Sequence, residues 1–457
     1  MDDYRTQYER ANRWGEPAFT ERPYIGSPGG PAQDETNASN MWAHLNGGFL
    51  VANEYTRWWK ESRALRNSAI VGDWSWLNKV RVTGPDATRF LNYATVTDIA
   101  DQRVGQARFT PMTNEDGHVA IEGITFKLGA EEYMFTQSGA LQWLTHVHEK
   151  GDWDVELADV TPEYTDFALQ GPQALPILEA LTGEDFGDLA FSRWRHTEIL
   201  GEETIVARQG VTGEIGYEFF FPVGSGKAPD LWRAIREAGA EYGLRELGFR
   251  AQMIGHTEIN LATAIRDYIP ARMPAEQVPT FVQHWLPAEE AAALEWAPDE
   301  QFCTPGELGW DGIVDLDADD FNGRDALREE AAGGGPADAF VALEWDSDDV
   351  LGLFGEQFED GDIAPPPQLP YGQFRVSYLP VERDGDRVGW ASGVTYSPNL
   401  RRMIANARVP RALAASGTEV AVVWGGFTPE DPQRRVRATV EPDPLVESRE
   451  RDDPRPV

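Results

Sequence analysis

The spacing of apolar residues predicts both helices and strands in the first three quarters of the chain. Residues 228–242 place Leu231, Ile235, Ala238 and Tyr242 on one helical face, which indicates an amphipathic helix. The alternation in Val80-Arg-Val-Thr83 predicts a short strand. A turn at Gly84-Pro-Asp86 and a helix through Phe90 and Leu91 follow it. Strands are also expected over Val119–Leu128 and Glu132–Gln137, so we predict a mixed α+β body up to about residue 330.

The pattern changes on either side of this body. Residues 1–50 are polar and rich in Gly, Pro and Asn, and we expect them to form an irregular N-terminal arm. A glycine-rich linker at 331–337 precedes a β-rich region over 338–440, which predicts a small antiparallel barrel or sandwich. Residues 441–457 carry four prolines and mostly charge, and we expect a disordered tail. Residues 51–330 would then form the main region, with two subdomains.

Composition narrows the possible classes of function. The chain has 457 residues, of which 41% are hydrophobic, and no apolar run approaches the roughly 18 residues that span a bilayer. Its N-terminus is acidic and polar, so we expect a cytoplasmic protein without a membrane partner. The single cysteine, Cys303, excludes an internal disulfide framework and a multi-thiolate metal site, and we expect no metal.

The charge is strongly acidic. There are 76 acidic and 40 basic residues, which gives a net charge of −36, and only five of the basic residues are lysine. Such a surface repels itself at low salt, and at about 1 M salt the Debye length of roughly 3 Å removes most of that repulsion. We therefore expect a halophilic source; an acidic surface for a basic partner is the alternative. A nucleic-acid partner is not expected, because phosphates demand a basic face.

One stretch, Arg208–Pro222, combines a glycine-bracketed turn with an acid, Glu218, at the root of an aromatic strand. A carboxylate at this point is unusual unless a ligand there needs two acceptors. Glu218 is therefore a candidate ligand-binding acid beside a loop that Gly210 and Gly213 shape.

Six segments in order make the chain resemble the folate-binding aminomethyltransferase family, which comprises the T-protein of the glycine cleavage system and its relatives. The resemblance covers roughly residues 50–430. It implies a multi-domain cloverleaf with mixed sheets around a central folate site and a C-terminal antiparallel β-barrel. The segments are Val82-Thr-Gly-Pro-Asp-Ala87, Met112-Thr-Asn-Glu-Asp-Gly117, Ala168-Leu-Gln-Gly-Pro-Gln-Ala174, Thr212-Gly-Glu-Ile-Gly-Tyr-Glu218, Asp320-Phe-Asn-Gly-Arg-Asp-Ala-Leu327 and Gly393-Val-Thr-Tyr-Ser-Pro398.

Within that family the chain most resembles the tetrahydrofolate-dependent O-demethylases of methoxylated aromatic acids. The resemblance rests on Leu65-Arg-Asn-Ser-Ala69, Gly117-His-Val119, Arg250-Ala251 before Glu258, and Val341–Asp349, together with the long N-terminal arm. It implies tetrahydrofolate, or a related reduced pterin, as the cofactor.

The resemblance also implies roles for single residues. Glu218 would accept two parallel hydrogen bonds from the pterin ring, as a carboxylate does from arginine. Further contacts with the cofactor are expected at Gln137, Met112, Asn114 and Gly213. Tyr268, Glu122 and His256 are the candidate catalytic residues, with Tyr268 or His256 as the proton donor to a leaving oxygen. Tyr24 in the arm is a further candidate at the pocket.

Several positions depart from the T-protein pattern. The first of two adjacent acids is replaced by Ile121, so that only Glu122 remains, and Gln252 and His256 stand where the T-protein has arginines. Gln137 stands where the aromatic O-demethylases have an arginine, which weakens the case for an aromatic acid as substrate.

We therefore predict a tetrahydrofolate-dependent one-carbon transferase that moves a methyl group from a small-molecule donor to N5 of tetrahydrofolate. One alternative is a glycine cleavage aminomethyltransferase, which alone would need a lipoyl carrier protein as partner. The other is a non-catalytic folate-binding protein. The methyl donor, the proton donor and the oligomeric state stay open.

Overall fold

The computed structural model describes residues 4–11, 25–45, 49–272, 298–317, 320–368, 378–426 and 431–455. The N-terminal arm contains more regular structure than its composition predicts. A three-stranded sheet in the order β1-β3-β2 joins it to the body. The elements here are α1 (Tyr4–Ala11), β1 (Ile25–Gly26), α2 (Gly30–Asp34), β2 (Met41–Leu45), β3 (Phe49–Glu54) and α3 (Trp58–Asn67).

A five-stranded sheet, in the order β11-β5-β10-β9-β6, forms one half of the body. Val80, Val82 and Phe135 pack on one face against the helices α4 and α5. The sheet and its neighbours comprise β5 (Lys79–Thr83), α4 (Ala87–Ala94), β6 (Ala107–Phe109), β7 (Met112–Thr113), β8 (Val119–Ile121), β9 (Ile124–Gly129), β10 (Glu132–Thr136), α5 (Ala140–His148) and β11 (Glu156–Asp159).

A six-stranded sheet, in the order β13-β14-β15-β12-β4-β16, forms the other half. Its outer face packs on α6 and α7 through residues such as Tyr217 and Phe219. Its inner face meets the five-stranded sheet, where Phe220 contacts Phe126. The elements are β4 (Ile70–Asp73), β12 (Tyr164–Gln170), α6 (Ala174–Thr182), β13 (Trp194–Ile199), β14 (Glu202–Ala207), β15 (Gly216–Pro222), α7 (Ala228–Gly239), β16 (Arg245–Glu246) and α8 (Phe249–Glu258).

The C-terminal region is a closed six-stranded barrel in the order β17-β20-β19-β18-β21-β22, and all its strand pairs are antiparallel. This confirms the predicted barrel. Its elements and the helices beside it are α9 (Arg324–Ala332), β17 (Asp338–Trp345), α10 (Ser347–Gly355), β18 (Leu379–Arg383), β19 (Asp386–Ser397), β20 (Arg402–Pro410), β21 (Glu419–Gly425) and β22 (Gln433–Glu441).

The predicted strand over Val119–Leu128 is broken at Glu122 and Gly123, between β8 and β9. A β-carbon on Gly123 would lie 2.4 Å from the carbonyl oxygen of Thr136, so only glycine fits there. The break frees the Glu122 side chain from the regular alternation of a strand and lets it face another segment of the chain.

The expectation of a disordered C-terminal tail is wrong up to Arg455. The backbone N–H of Val446 donates to the carbonyl of Glu258, and that of Arg449 donates to the carbonyl of Gly213. The guanidinium of Arg208 binds the carbonyls of Glu450 and Asp452. Its composition suggested disorder because the tail has few apolar side chains to bury. The tail is instead ordered by hydrogen bonds to residues of the rest of the molecule.

Candidate functional site

Glu218 lies on β15 in register with Ala168 of β12 and Ala207 of β14. Because Tyr217 and Phe219 face the outer helices, the Glu218 side chain points into the space between the two sheets. Its side chain is half-buried, and desolvation, together with the charge of Asp166, raises its pKa well above the ordinary value, while Lys79 opposes the shift. Among the described residues no donor bonds its carboxylate, so it is available to a ligand.

A buried ion pair lies beside Glu218. The ammonium of Lys79, on β5 of the opposite sheet, is 3.4 Å from Oδ2 of Asp166, and both side chains are essentially inaccessible to solvent. Oδ1 of Asp166 has no hydrogen-bond partner among the residues that the structure describes. Sequence reasoning missed both residues, although an acid inside the apolar strand Tyr164–Gln170 is the same signal that singled out Glu218.

Glu122 and Tyr268 are brought together, as are Glu122 and Gln137. The hydroxyl of Tyr268 donates to Oε2 of Glu122 over 2.5 Å, and Nε2 of Gln137 donates to Oε1 over 3.1 Å. Burial raises the pKa of Glu122 to about 7, against the opposing effects of the Tyr268 bond and of Arg272. This carboxyl can therefore hold or release a proton near neutral pH.

The segment that follows α8 holds Tyr268 in place. Its neighbours Ile269 and Ala271 donate backbone hydrogen bonds to Gln301 and Val119. Tyr268 itself is fully buried, and its ring packs edge-on against Trp310 at 6.1 Å. The position of this phenol is thus fixed by both β8 and the segment around residue 301.

The same segment ties the site to the barrel. Asp267 pairs with Arg266 over 2.8 Å and accepts a hydrogen bond from Ser392 of β19. Asp267 and Arg266 are both buried. The barrel therefore helps to hold Asp267, the residue that precedes Tyr268.

Arg272 is a site residue that sequence reasoning missed. Its Nη1 donates to the carbonyl of Ser138 over 2.6 Å, and the guanidinium lies so close to Gly139 that a β-carbon there would be 2.3 Å from it. Burial lowers the pKa of Arg272, while Glu122 and Tyr268 act in the opposite direction. Arg272 thus supplies a positive charge beside Glu122, whereas Gln137 supplies only an uncharged amide. No local pattern marks Arg272, because its neighbours come from distant strands.

The role suggested for His256 as a proton donor near neutral pH does not fit its surroundings. Burial, and then Arg266 and Arg66, lower its pKa well below the ordinary value, so the ring is neutral. Its Nδ1 lies 3.0 Å from the hydroxyl of Thr263, and its Nε2 has no partner among the described residues. The sequence does not show this burial, and a catalytic role for His256 stays a prediction.

The remaining predicted contacts occupy structural positions. Met112 is fully buried in the core that packs on α4 and α5. Asn114 accepts backbone hydrogen bonds from Asp116 and His118 and so closes its own turn. Gly213 has a φ of +73°, and its carbonyl is bonded by Arg449. Contact of these three residues with a cofactor stays a prediction, and Tyr24 lies outside the described residues.

A second buried acid, Glu258, is part of a structural network. It pairs with Arg66 over 2.9 Å and accepts hydrogen bonds from Ser397 and Asn399 of the barrel. Arg66 also pairs with Glu214 over 3.0 Å, and Glu214 in turn binds Arg449 of the tail. The network joins α3, α8, the loop before β15, the barrel and the tail.

Two general features bear on the class of site. Among the described residues, no three His, Cys, Asp or Glu side chains are arranged to hold a metal ion. None of the helices in the described part of the chain combines the length and apolar character that crossing a bilayer requires.

Comparison with known proteins places the chain in a family. Residues 33–283 match the GCVT N-terminal domain, and residues 376–446 match the glycine cleavage T-protein C-terminal barrel domain. The aminomethyltransferase T of Bartonella henselae has the same fold, with a TM-score of 0.71 and 20% identity over 93% of this chain and 98% of that one.

Three curated relatives are similar along most of their length. The sesamin methylene transferase of Sinomonas sp. is 31% identical over 86% of this chain and 89% of its own. The syringate O-demethylase of Sphingobium sp. is 28% identical over 82% of this chain and 84% of its own. The aminomethyltransferase of Moorella thermoacetica is 28% identical over 82% of this chain and 88% of its own. The resemblance inferred from the sequence is confirmed, and the chain belongs to the glycine cleavage T-protein (GCVT) family.

Proposed function

We propose that this protein is a tetrahydrofolate-dependent demethylase, which moves a methyl group from the oxygen of a small donor molecule to the folate. The observation that carries the proposal is the bond from Tyr268 to Glu122 beside the half-buried Arg272. A phenol, a carboxyl group that titrates near pH 7 and a cation form a set of groups suited to a departing oxygen.

The surroundings of Glu218 support a reduced folate as the cofactor. The carboxylate of Glu218 has no bonding partner among the described residues, and the pterin ring offers an amine and a ring N–H side by side. Each hydrogen bond to a charged group contributes about 1.5–3 kcal/mol. A reduced folate held there would supply the nitrogen that accepts the one-carbon unit.

The side chains of Tyr268 and Glu122 would act on the oxygen that leaves the methyl donor. A phenolate is a poor leaving group, because phenols titrate near pH 10. With Glu122 protonated, the Tyr268 hydroxyl is free to donate its proton to that oxygen while it accepts one from Glu122. The fixed positions of Tyr268 and Glu122 avoid reorganisation during the transfer.

The relatives favour a donor whose one-carbon unit is bound to oxygen, because one of them is named as an O-demethylase of syringate. Arg272 adds a charge preference. A half-buried guanidinium favours a donor with an anionic group, which the uncharged Gln137 by itself did not suggest.

The test is a screen of methoxylated aromatic compounds, with and without a carboxylate, that follows methyl-tetrahydrofolate by chromatography. We expect methyl transfer from the methoxylated compounds that carry a carboxylate. The Glu218→Ala variant should lose this activity, because the cofactor no longer binds. Glu163→Gln, a partly exposed acid on the same body, is the matched control. Robust ammonia release from an aminomethyl-lipoyl donor, without methyl transfer from any ether, would instead identify an aminomethyltransferase.

We further propose that the protein is cytoplasmic and works at high salt. The net charge of −36 supports the second part. Activity and thermal stability should therefore both rise between about 0.1 and 1 M salt, as the Debye length falls from roughly 10 to 3 Å.

A further inference from the structure

Two carboxylates and one ammonium share the cleft between the sheets. Asp166 pairs with Phe220 across β12 and β15, and Ala168 pairs with Glu218, so the two acids lie diagonally on one face of the sheet. Lys79 reaches them from β5. Asp73 of β4 adds a further negative charge near Asp166, whereas β14 places only Ala207 opposite Glu218.

The ammonium of Lys79 is fully engaged. Besides Asp166 at 3.4 Å, it bonds the carbonyl of Leu77 at 2.8 Å and that of Trp74 at 3.5 Å. An ammonium has three donors, and these contacts use all of them. Glu218 is consequently left without a hydrogen-bonded cation, and two ionised acids that share one cation in this poorly hydrated space repel each other.

We propose that Asp166 is a positioning residue of the cofactor site: by holding Lys79 it leaves Glu218 as a neutral carboxylic acid, which ionises only when ligand N–H groups replace its proton. The inference rests on the proposed function, since the ligand is a reduced folate. The O–H bond of Glu218 breaks, the proton passes to the buffer, and two N–H···O hydrogen bonds form. Nothing is oxidised or reduced, and binding releases about one proton.

The direction of the Glu218 shift supports this assignment. Burial raises the pKa of both acids. For Asp166 the charge and the hydrogen bond of Lys79 both oppose the shift, whereas for Glu218 the charge of Asp166 adds to it and Lys79 opposes it through its charge alone. Bonding to N–H donors lowers the pKa of Glu218 again in the complex. Folate affinity should thus increase with pH, by up to about tenfold per unit, until Glu218 is ionised in the free protein.

The test is calorimetry of 5-methyltetrahydrofolate binding near pH 7, in buffers with different ionisation enthalpies. The wild type is expected to release about one proton per folate bound. In Asp166→Asn the release should fall well below one and the affinity near pH 6 should rise severalfold. Glu163→Gln, which leaves the cleft unchanged, should release as many protons as the wild type.

Equal proton release by the wild type and Asp166→Asn would overturn the inference, as would folate binding by the wild type without any release. If Asp166→Asn does not fold, as judged by circular dichroism, the proton count and the pH slope of the wild type decide alone. A wild type that binds no reduced folate at any pH rejects the proposed function itself and the inference with it.

Discussion

Glu258 is fully buried and Glu122 is half-buried, and the hydrogen-bond partners of the two glutamates differ in kind. Glu258 has a matched cation in Arg66 and two further donors from the barrel. Glu122 is bonded only by a phenol and an amide among the described residues, and its pKa is raised to about 7. A carboxylate that is hydrogen-bonded directly to an arginine stabilises the fold. One whose hydrogen bonds come from neutral groups, with its cation acting only through its charge, keeps a proton that it can give away.

The strongest test of this contrast is Tyr268→Phe. Loss of the phenol should reduce methyl transfer roughly 10²–10⁴-fold, because the leaving oxygen loses its proton donor. Stability should fall by only about 0.5–1.5 kcal/mol, the usual contribution of one hydrogen bond. Initial rates and urea unfolding measure the two effects.

Tyr133→Phe is the matched control, because the hydroxyl of that buried tyrosine bonds Thr88 and Lys127 and not Glu122. It should lose a similar amount of stability and keep its activity. Equal activity losses in the two variants would contradict the role given to Tyr268.

Glu258→Ala should produce the largest loss of stability. Removal of this acid leaves Arg66 buried without one of its two acidic partners, and breaking such a pair costs about 3–5 kcal/mol. Urea unfolding measures it. The control is Glu344→Ala, because the pair of Glu344 with Arg402 is solvent-exposed and contributes at most about 1 kcal/mol. A small effect at Glu258 would remove the contrast with Glu122.

The pH dependence of the rate tests the proton on Glu122. Its pKa is raised from 4.5 to about 7, so the carboxyl stays neutral up to that pH. Above it, the ionised carboxylate holds the Tyr268 proton, and the rate of methyl transfer should fall with a single ionisation near 7. The Glu122→Gln variant should transfer the methyl group more slowly, and its rate should show no decrease near pH 7. A wild-type rate that stays flat from pH 6 to 9 would argue against proton donation through Tyr268.

The same shift has a stability consequence with a definite sign. Between pH 4.5 and about 7 the folded protein keeps a proton that the unfolded chain has released, so stability falls as pH rises. Relative to Glu122→Gln, the wild type should thus lose unfolding free energy across this range.

The smallest expected effect is that of Arg449→Ala. This residue binds Glu214 from the solvent side of the network, and 40% of its side chain is exposed. We expect a loss of about 0.5–1 kcal/mol in urea unfolding. An Arg451→Ala variant, whose guanidinium stacks on Phe191, controls for loss of any tail arginine.

The sequence predicted features that are local in the chain. The strand at Glu218, the helix over α7 and the closed barrel follow from alternation and spacing. Glu122, Gln137 and Tyr268 were identified by resemblance, but the bond between Glu122 and Tyr268 joins residues 146 positions apart and no periodicity encodes it.

The features that the sequence did not show have a common physical origin. His256 was given a role from its ordinary pKa, which burial and then two arginines lower. Arg272 was missed because Ser138 and Gly139, which surround it, lie far away in the chain. In each case the side chain takes its properties from partners that only the tertiary structure brings near.

The contact of the tail with the loop before β15 sets an order of events during synthesis. Arg449 bonds both the carbonyl of Gly213 and the carboxylate of Glu214, and it lies 235 positions after Glu214 in the chain. Domains fold from the N-terminus while the ribosome still holds the rest of the chain. This loop therefore stays incompletely bonded until residue 449 has left the ribosome, and a polypeptide that stalls before that point would lack the contact.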